Sequence, residues 1–178
     1  MRLFLTIEIP KEIRDKLFDI QKEFGKDVLS TKWVAKKHIH LTLKFLGEVN
    51  SILMKKTIEE LEKVKFKEFS LQVGKAGFFQ RKGLISVVFI DLENSKELHY
   101  LKDDIEIGLL EIFPRDDSFE AHVTLGRVKK VFDKDKFVDV IDKIKINDKF
   151  EVKEFVLMQS MLTKDGPIYS VVKRFECN

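Results

Sequence analysis

From Leu3 to Ile9 apolar and polar positions alternate around threonine and isoleucine, which predicts a strand. Pro10 suits a first helical turn, and Ile13, Leu17, Ile20 and Phe24 recur at helical spacing until Gly25 offers a stop. Trp33 to Val49 holds a second extended stretch, with strict alternation from His38 to Phe45. Ser51 is placed to cap a helix whose face is Met54, Ile58, Leu61 and Val64. Two strands follow, Phe69 to Phe79 and Leu84 to Leu92, the second so apolar that a central position is expected. Asn94 or Ser95 then caps a helix carrying Leu98, Leu101, Ile105, Leu109 and Ile112, which ends before Pro114. Phe119 to Val128 reads as extended, and Asp133 to Ile144 as a short helix with Phe137, Val140, Ile141 and Ile144 inward. Val152 to Leu162 and Tyr169 to Phe175 complete the pattern as a hairpin around Asp165-Gly166-Pro167.

Strands and helices in this order, without a regular parallel βαβ rhythm, favour an α+β fold with antiparallel sheets. No low-complexity linker separates the two halves, so any two lobes pack directly on each other. The 178 residues, 44% hydrophobic and 35% charged, suffice for one buried domain and exclude a disordered chain. No uncharged apolar run approaches the length of a spanning helix, and the apolar start is broken by Arg2 and Glu8, so a non-exported protein without a membrane partner is expected. One cysteine, Cys177, fits a reducing compartment, here the cytoplasm. A net charge of +3 permits a nucleic-acid partner without arguing for one.

The candidate chemistry lies in a tetrapeptide pattern that occurs twice, His40-Leu41-Thr42-Leu43 and His122-Val123-Thr124-Leu125. With six threonines in the chain, a given histidine finds one two positions on with a chance of only about 3%, so the doublet is not an accident of composition. On a strand, residues two apart share a face. Each His and Thr therefore stand side by side, while Leu41 and Leu43, like Val123 and Leu125, point into a core. An imidazole and a hydroxyl on a well-buried strand are costly unless their face lines a wet cleft. Two imidazoles and two hydroxyls facing one another suit in-line displacement at phosphorus: one ring takes a proton from the attacking oxygen, the other returns one to the leaving oxygen. The hydroxyls and a cation would hold the non-bridging oxygens.

The doubled motif resembles that of the 2H phosphoesterase superfamily. The Arg2-Leu3-Phe4-Leu5 opening, Trp33-Val34, the run from His40 to Gly47, the string His122 to Arg127, and Gly166-Pro167-Ile168-Tyr169 are similar to its RNA 2′,3′-cyclic phosphodiesterase branch, also called 2′-5′ RNA ligase. The resemblance spans nearly the whole chain. It implies a single bilobal domain over residues 1–178, with two pseudo-symmetric lobes and a cleft between them, and neither metal nor cofactor. It further implies that His40 is the proton donor to the leaving ribose oxygen and His122 the proton acceptor from water, opening a terminal 2′,3′-cyclic phosphate to a 2′-phosphate, with ligation as the reverse reaction. Thr42 and Thr124 would hold the phosphate. The expected partner is RNA with such a terminus, tRNA halves among the candidates, and the expected state is a monomer.

Arg127 is a natural further phosphate ligand, since a guanidinium pairs with two oxygens. Five positions after His122, an ideal strand would point it to the opposite face, so the assignment requires a bulge or strand end at Gly126. Lys44 falls on the face of His40 and Thr42 and is expected to meet a nucleotide. Tyr169 is placed to stack on a base, whereas Phe78 and Phe79 are read as core. His38 shares that strand face too, and His38, His40 and His122 would also suit a three-histidine zinc site, although the second His-x-Thr copy then has no purpose. His99, beside an apolar helical stripe, reads as structural. Two other functions stay open: hydrolysis of a small nucleotide such as ADP-ribose 1″,2″-cyclic phosphate, and non-catalytic binding of RNA ends.

Overall fold

A computed structural model of the chain describes residues 1–93, 95–164 and 166–178. The alternative cap Asn94 and the turn residue Asp165 lie outside the described residues. The chain runs β1 (Arg2–Glu8), α1 (Lys11–Ile20), β2 (Leu29–Trp33), β3 (His40–Glu48), α2 (Ser51–Leu61), β4 (Phe69–Arg81), β5 (Leu84–Leu92), α3 (Lys96–Leu109), β6 (His122–Val131), α4 (Lys134–Lys143), β7 (Lys149–Val152), β8 (Glu154–Thr163) and β9 (Gly166–Glu176). The strands form one antiparallel ladder in the order β7-β4-β5-β6-β3-β1-β8-β9, with β2 also paired to β6. The fold is α+β. No helix among the described residues is long and apolar enough to cross a membrane.

Alternation decides which side of the sheet is dry. Leu3, Leu5 and Ile7 of β1, Leu41 and Leu43 of β3, Val88 and Ile90 of β5, and Val123 and Leu125 of β6 are buried. They join Leu17, Leu61, Leu101, Ile105 and Phe137 from the four helices in one continuous core. Each such side chain contributes about 1.5–3 kcal/mol by leaving water. The intervening residues His40, Thr42, His122 and Thr124 are only half-buried, on the other face.

Several local expectations need correction. Asn50, rather than Ser51, caps α2, its side chain accepting from the Leu53 amide at 2.8 Å. The expected cap of α3 at Ser95 is present, its side chain accepting from the Leu98 amide. Pro10 sits one place ahead of α1 as its N-cap residue, because its carbonyl accepts from the Arg14 amide while its own ring nitrogen has nothing to donate. The alternation taken to begin at His38 begins at His40: residues 36–38 form a 3₁₀ turn, so His38 does not stand beside His40 on a strand. Two short strands, β2 and β7, were not predicted, since each is defined by distant partners on β6 and β4.

The two halves meet at β3 and β6, whose ladder consists of one pair, Leu41 opposite Val123. Beyond it, the side of β6 facing β3 is taken over by β2, with Trp33 opposite Gly126. The junction is sealed by buried polar groups. The Thr6 hydroxyl donates to the Leu41 carbonyl at 2.6 Å, and the Gln21 amide donates to the carbonyls of Val34 at 2.9 Å and Leu125 at 3.2 Å.

Candidate active site

An antiparallel pair has a local twofold axis, so the pairing of Leu41 with Val123 relates the two motifs by symmetry. Continued one residue each way, that register sets His40 level with Thr124 and Thr42 level with His122. All four line one cavity of about 260 Å³, together with Arg127, Tyr169, His38, Arg2, Phe4 and Phe45. Arg2 and Arg127 line it, and no carboxylate does so among the described residues. The cavity therefore favours an anion. A second hollow on the His122 side shares Thr42, Phe45, His122, Thr124 and Arg127 and is walled by residues 115–120.

Both imidazoles are oriented by the same device. His40 Nδ1 lies 2.7 Å from the His38 carbonyl, and His122 Nδ1 lies 2.7 Å from the Glu120 carbonyl. A carbonyl only accepts, so each Nδ1 carries a proton and donates it. Nε2 is then left as the working nitrogen of each ring. The surroundings differ in detail. His40 lies between Phe4, with ring centroids 5.3 Å apart, and Tyr169, at 5.7 Å. His122 meets the edges of Phe79 at 4.9 Å and Phe89 at 5.4 Å. Burial pushes the His40 ring down to about 4, only partly opposed by its hydrogen bond to the His38 carbonyl. Burial likewise raises the Asp91 carboxyl, which stands opposite His122 across the β5–β6 ladder.

The structure supplies the bulge that Arg127 requires. Across β5 and β6, Val88 pairs with Gly126 and Phe89 with Thr124, so an extra residue of β6 intervenes. Arg127 thereby regains the face of His122 and lines the cavity. The same irregularity recurs in β3: Phe4 pairs with Phe45, Leu5 with Lys44, and Thr6 with Thr42. It turns Lys44 inward, where it is 2% exposed, and brings Phe45 to the cavity in its place. The expectation that Lys44 shares the face of His40 and Thr42 is thus corrected. Its ammonium binds Glu106 at 2.8 Å, the Pro114 carbonyl at 2.9 Å and Asp116 at 3.1 Å.

Gly126, the counterpart of Lys44 in the second half, is required by close packing, because a Cβ there would lie 2.5 Å from Thr31 Cγ2 and 2.6 Å from Trp33 Cε3. Tyr169 is half-buried at the cavity wall, tilted against His38 with ring centroids 4.4 Å apart and edge-on to Phe4 at 5.0 Å. Phe78 packs on Phe137 in the core as expected, but Phe79 faces His122. Sequence reasoning missed Phe45 and Phe79 as wall residues. Applying to β3 the bulge already demanded of β6 would have found Phe45; nothing local in the sequence marks Phe79. His99 packs on Phe119 at 5.8 Å and hydrogen-bonds the Ser95 carbonyl.

The sequence profile of the family described as LigT like Phosphoesterase matches this chain twice, over residues 7–87 and 88–169, one His-x-Thr copy in each. An RNA 2′,3′-cyclic phosphodiesterase of Archaeoglobus fulgidus is 35% identical over 99% of this chain and 100% of its own length. One from Methanocaldococcus jannaschii is 34% identical over 98% and 100%. A crystal structure of Escherichia coli LigT complexed with 3′-AMP superposes with a TM-score of 0.79 at 25% identity, covering 99% of this chain and 96% of that one. A Thermus thermophilus structure, at 24% identity and a TM-score of 0.84 over 99% and 97%, shares the fold. Two matched halves, each contributing a histidine strand to one cavity, together with relatives aligned end to end, establish that the chain belongs to the LigT-like phosphoesterase family.

Proposed function

We propose that the protein is an RNA 2′,3′-cyclic phosphodiesterase, with one catalytic unit extending over residues 1–178. The observation that carries this reading is the meeting of two His-x-Thr strands at Leu41 and Val123, with both rings, both hydroxyls and Arg127 around one cavity. The cyclic phosphate lies between the rings. Arg127, Thr42 and Thr124 hold its non-bridging oxygens, where charge builds as the attacking oxygen adds. His122 takes the proton of water through Nε2, and His40 gives one through Nε2 to the departing ribose oxygen, leaving a 2′-phosphate. Tyr169 and Phe4 offer an aromatic surface to the terminal base.

Burial keeps His40 neutral at pH 7 in the empty cleft, so its role as acid depends on the substrate. The phosphate anion supplies a neighbouring negative charge that raises the ring's affinity for a proton. Read backwards, the same steps join a 5′-hydroxyl to a cyclic phosphate. The substrate is a single-stranded RNA end, tRNA halves included, met by a monomer in the cytoplasm.

The test is incubation of an oligoribonucleotide ending in a 2′,3′-cyclic phosphate in the presence of chelator, with identification of the product. A 2′-phosphate is expected at undiminished rate. Loss of turnover on chelation removes the metal-free mechanism, and a 3′-phosphate reverses the leaving group. Turnover of ADP-ribose 1″,2″-cyclic phosphate alone would assign a small-nucleotide substrate, and unchanged behaviour of His122→Ala would leave only RNA-end binding.

A further inference from the structure

We propose that Lys44 is a positioning residue: from the first half of the chain it clamps the segment that orients His122 in the second. Lys44, Lys102 and Glu106 are 2%, 4% and 3% exposed and form a charge-balanced cluster with Asp116. Glu106 also pairs with Lys102 one helical turn away on α3. Asp116 Oδ2 accepts from Lys102 at 2.6 Å, and its Oδ1 from Lys44 at 3.1 Å. Burial raises the Asp116 carboxyl, but the two lysines more than offset it, so the group stays ionised and bound. Three buried charges are a costly way to fill space, since apolar side chains of similar volume commonly stabilise as well or better. The cost calls for a reason other than stability.

Connectivity supplies one. The segment between α3 and β6 has no regular structure from Pro114 to Ala121, and its carbonyl at Glu120 accepts the Nδ1 proton of His122. Ala121 is tied to the Leu92 amide on β5. At the other end, Lys44 reaches across from β3 to bind both the Pro114 carbonyl and the Asp116 side chain. Lys44 thus sets where the segment leaves α3, and with it the approach of Glu120 to His122 and the cavity wall formed by residues 115–120. The ladder between the two histidine strands holds a single residue pair, so this bridge is a further link between β3 and the environment of His122. A ring turned away from its line of attack loses rate with little change in substrate binding.

The inference rests on the proposed activity for its kinetic readout but not for its spectroscopic one. Asp116→Ala removes the carboxylate arm of the link at its exposed rim and keeps the bonds of Lys44 to Glu106 and to the Pro114 carbonyl. It is expected to lower kcat about tenfold or more with KM unchanged, and to disturb the ¹⁵N signals of the His122 ring that report the Nδ1–H tautomer. The double variant Lys44→Met/Glu106→Leu replaces buried charge by apolar volume; it is expected to recover the thermal midpoint lost in Lys44→Met but not kcat. Wild-type kcat and an unchanged His122 spectrum in Asp116→Ala, or recovery of midpoint and kcat together in the double variant, overturns the proposal. Absence of phosphodiesterase turnover in the wild-type protein would defeat the proposed function, while the His122 ring signals in Asp116→Ala would still decide the clamp.

Discussion

The strands β3 and β6 are two versions of one device, and they differ at two positions that matter. Over His40–Phe45 and His122–Arg127 the burial runs in the same order, two half-buried polar residues alternating with core residues, then a bulge, then an exposed side chain. Each ring is held by the carbonyl two residues before it. After the bulge, β3 places Lys44 inward and Phe45 at the cavity, whereas β6 places Gly126 inward and Arg127 at the cavity. A symmetric backbone therefore carries unequal chemistry. One side of the cleft holds an apolar wall and a desolvated imidazole, and the other an arginine. Hydrolysis needs such inequality, because one ring must lose a proton as the other gains one.

The comparison breaks most decisively at the rings. His40→Ala and His122→Ala are each expected to reduce single-turnover cleavage of a cyclic-phosphate RNA by about 100 to 10,000-fold. A loss confined to one of them would mean that only one strand is catalytic. Next in size, Arg127→Ala is expected to cost about 100-fold in kcat/KM, while Phe45→Ala, its counterpart across the twofold, acts mainly on KM. Equal effects would show that the difference between the strands is decorative.

The desolvated ring also predicts an acid limb in stability. Above pH 6.5 His40 is neutral whether the chain is folded or not. As pH falls toward 4, the unfolded chain takes up a proton that the native ring refuses, so stability drops and levels off below that value. The loss is about 3 kcal/mol at most, read from urea unfolding at successive pH values, and His40→Phe should flatten this part of the curve. Gly126→Ala, which forces a Cβ against Thr31 and Trp33, is expected to destabilise by about 1–3 kcal/mol; an unchanged unfolding midpoint would mean that β2 yields there. The smallest effect is a displacement of pH profiles. Because the bound phosphate raises His40, the limb of kcat that reports the acid should lie at higher pH than that of kcat/KM. A displacement in the opposite direction would give the acid's role to His122.

Much of this was legible along the chain, and the exceptions share a cause. The faces of β3 and β6 followed from a two-residue period, and the core leucines with them. The face of Arg127 follows from its awkward parity, which demands a bulge in β6. Lys44 belies its parity because β3 carries the same bulge, yet its fifth position is a lysine where β6 has a glycine, so nothing at that position signals it. β2 and β7 escaped notice because strands of five and four residues have too little periodicity to stand out, and pairing with β6 and β4 defines them. His38 looked like strand because alternation continues through a turn whose conformation the pattern does not encode.

Side-chain order alone was enough to set which residues share a face, that two equivalent motifs exist, and that their polar atoms need a cleft, since strand alternation and the cost of burying polar groups are local facts. Where those faces meet was decided by the assembled sheet. The pairing of Leu41 with Val123, the bulges that exchange Lys44 for Phe45 and bring Arg127 into line, and the carboxylates that surround Lys44 all join groups distant along the chain. Such contacts depend on the packing of the entire sheet and its helices, which no single segment encodes.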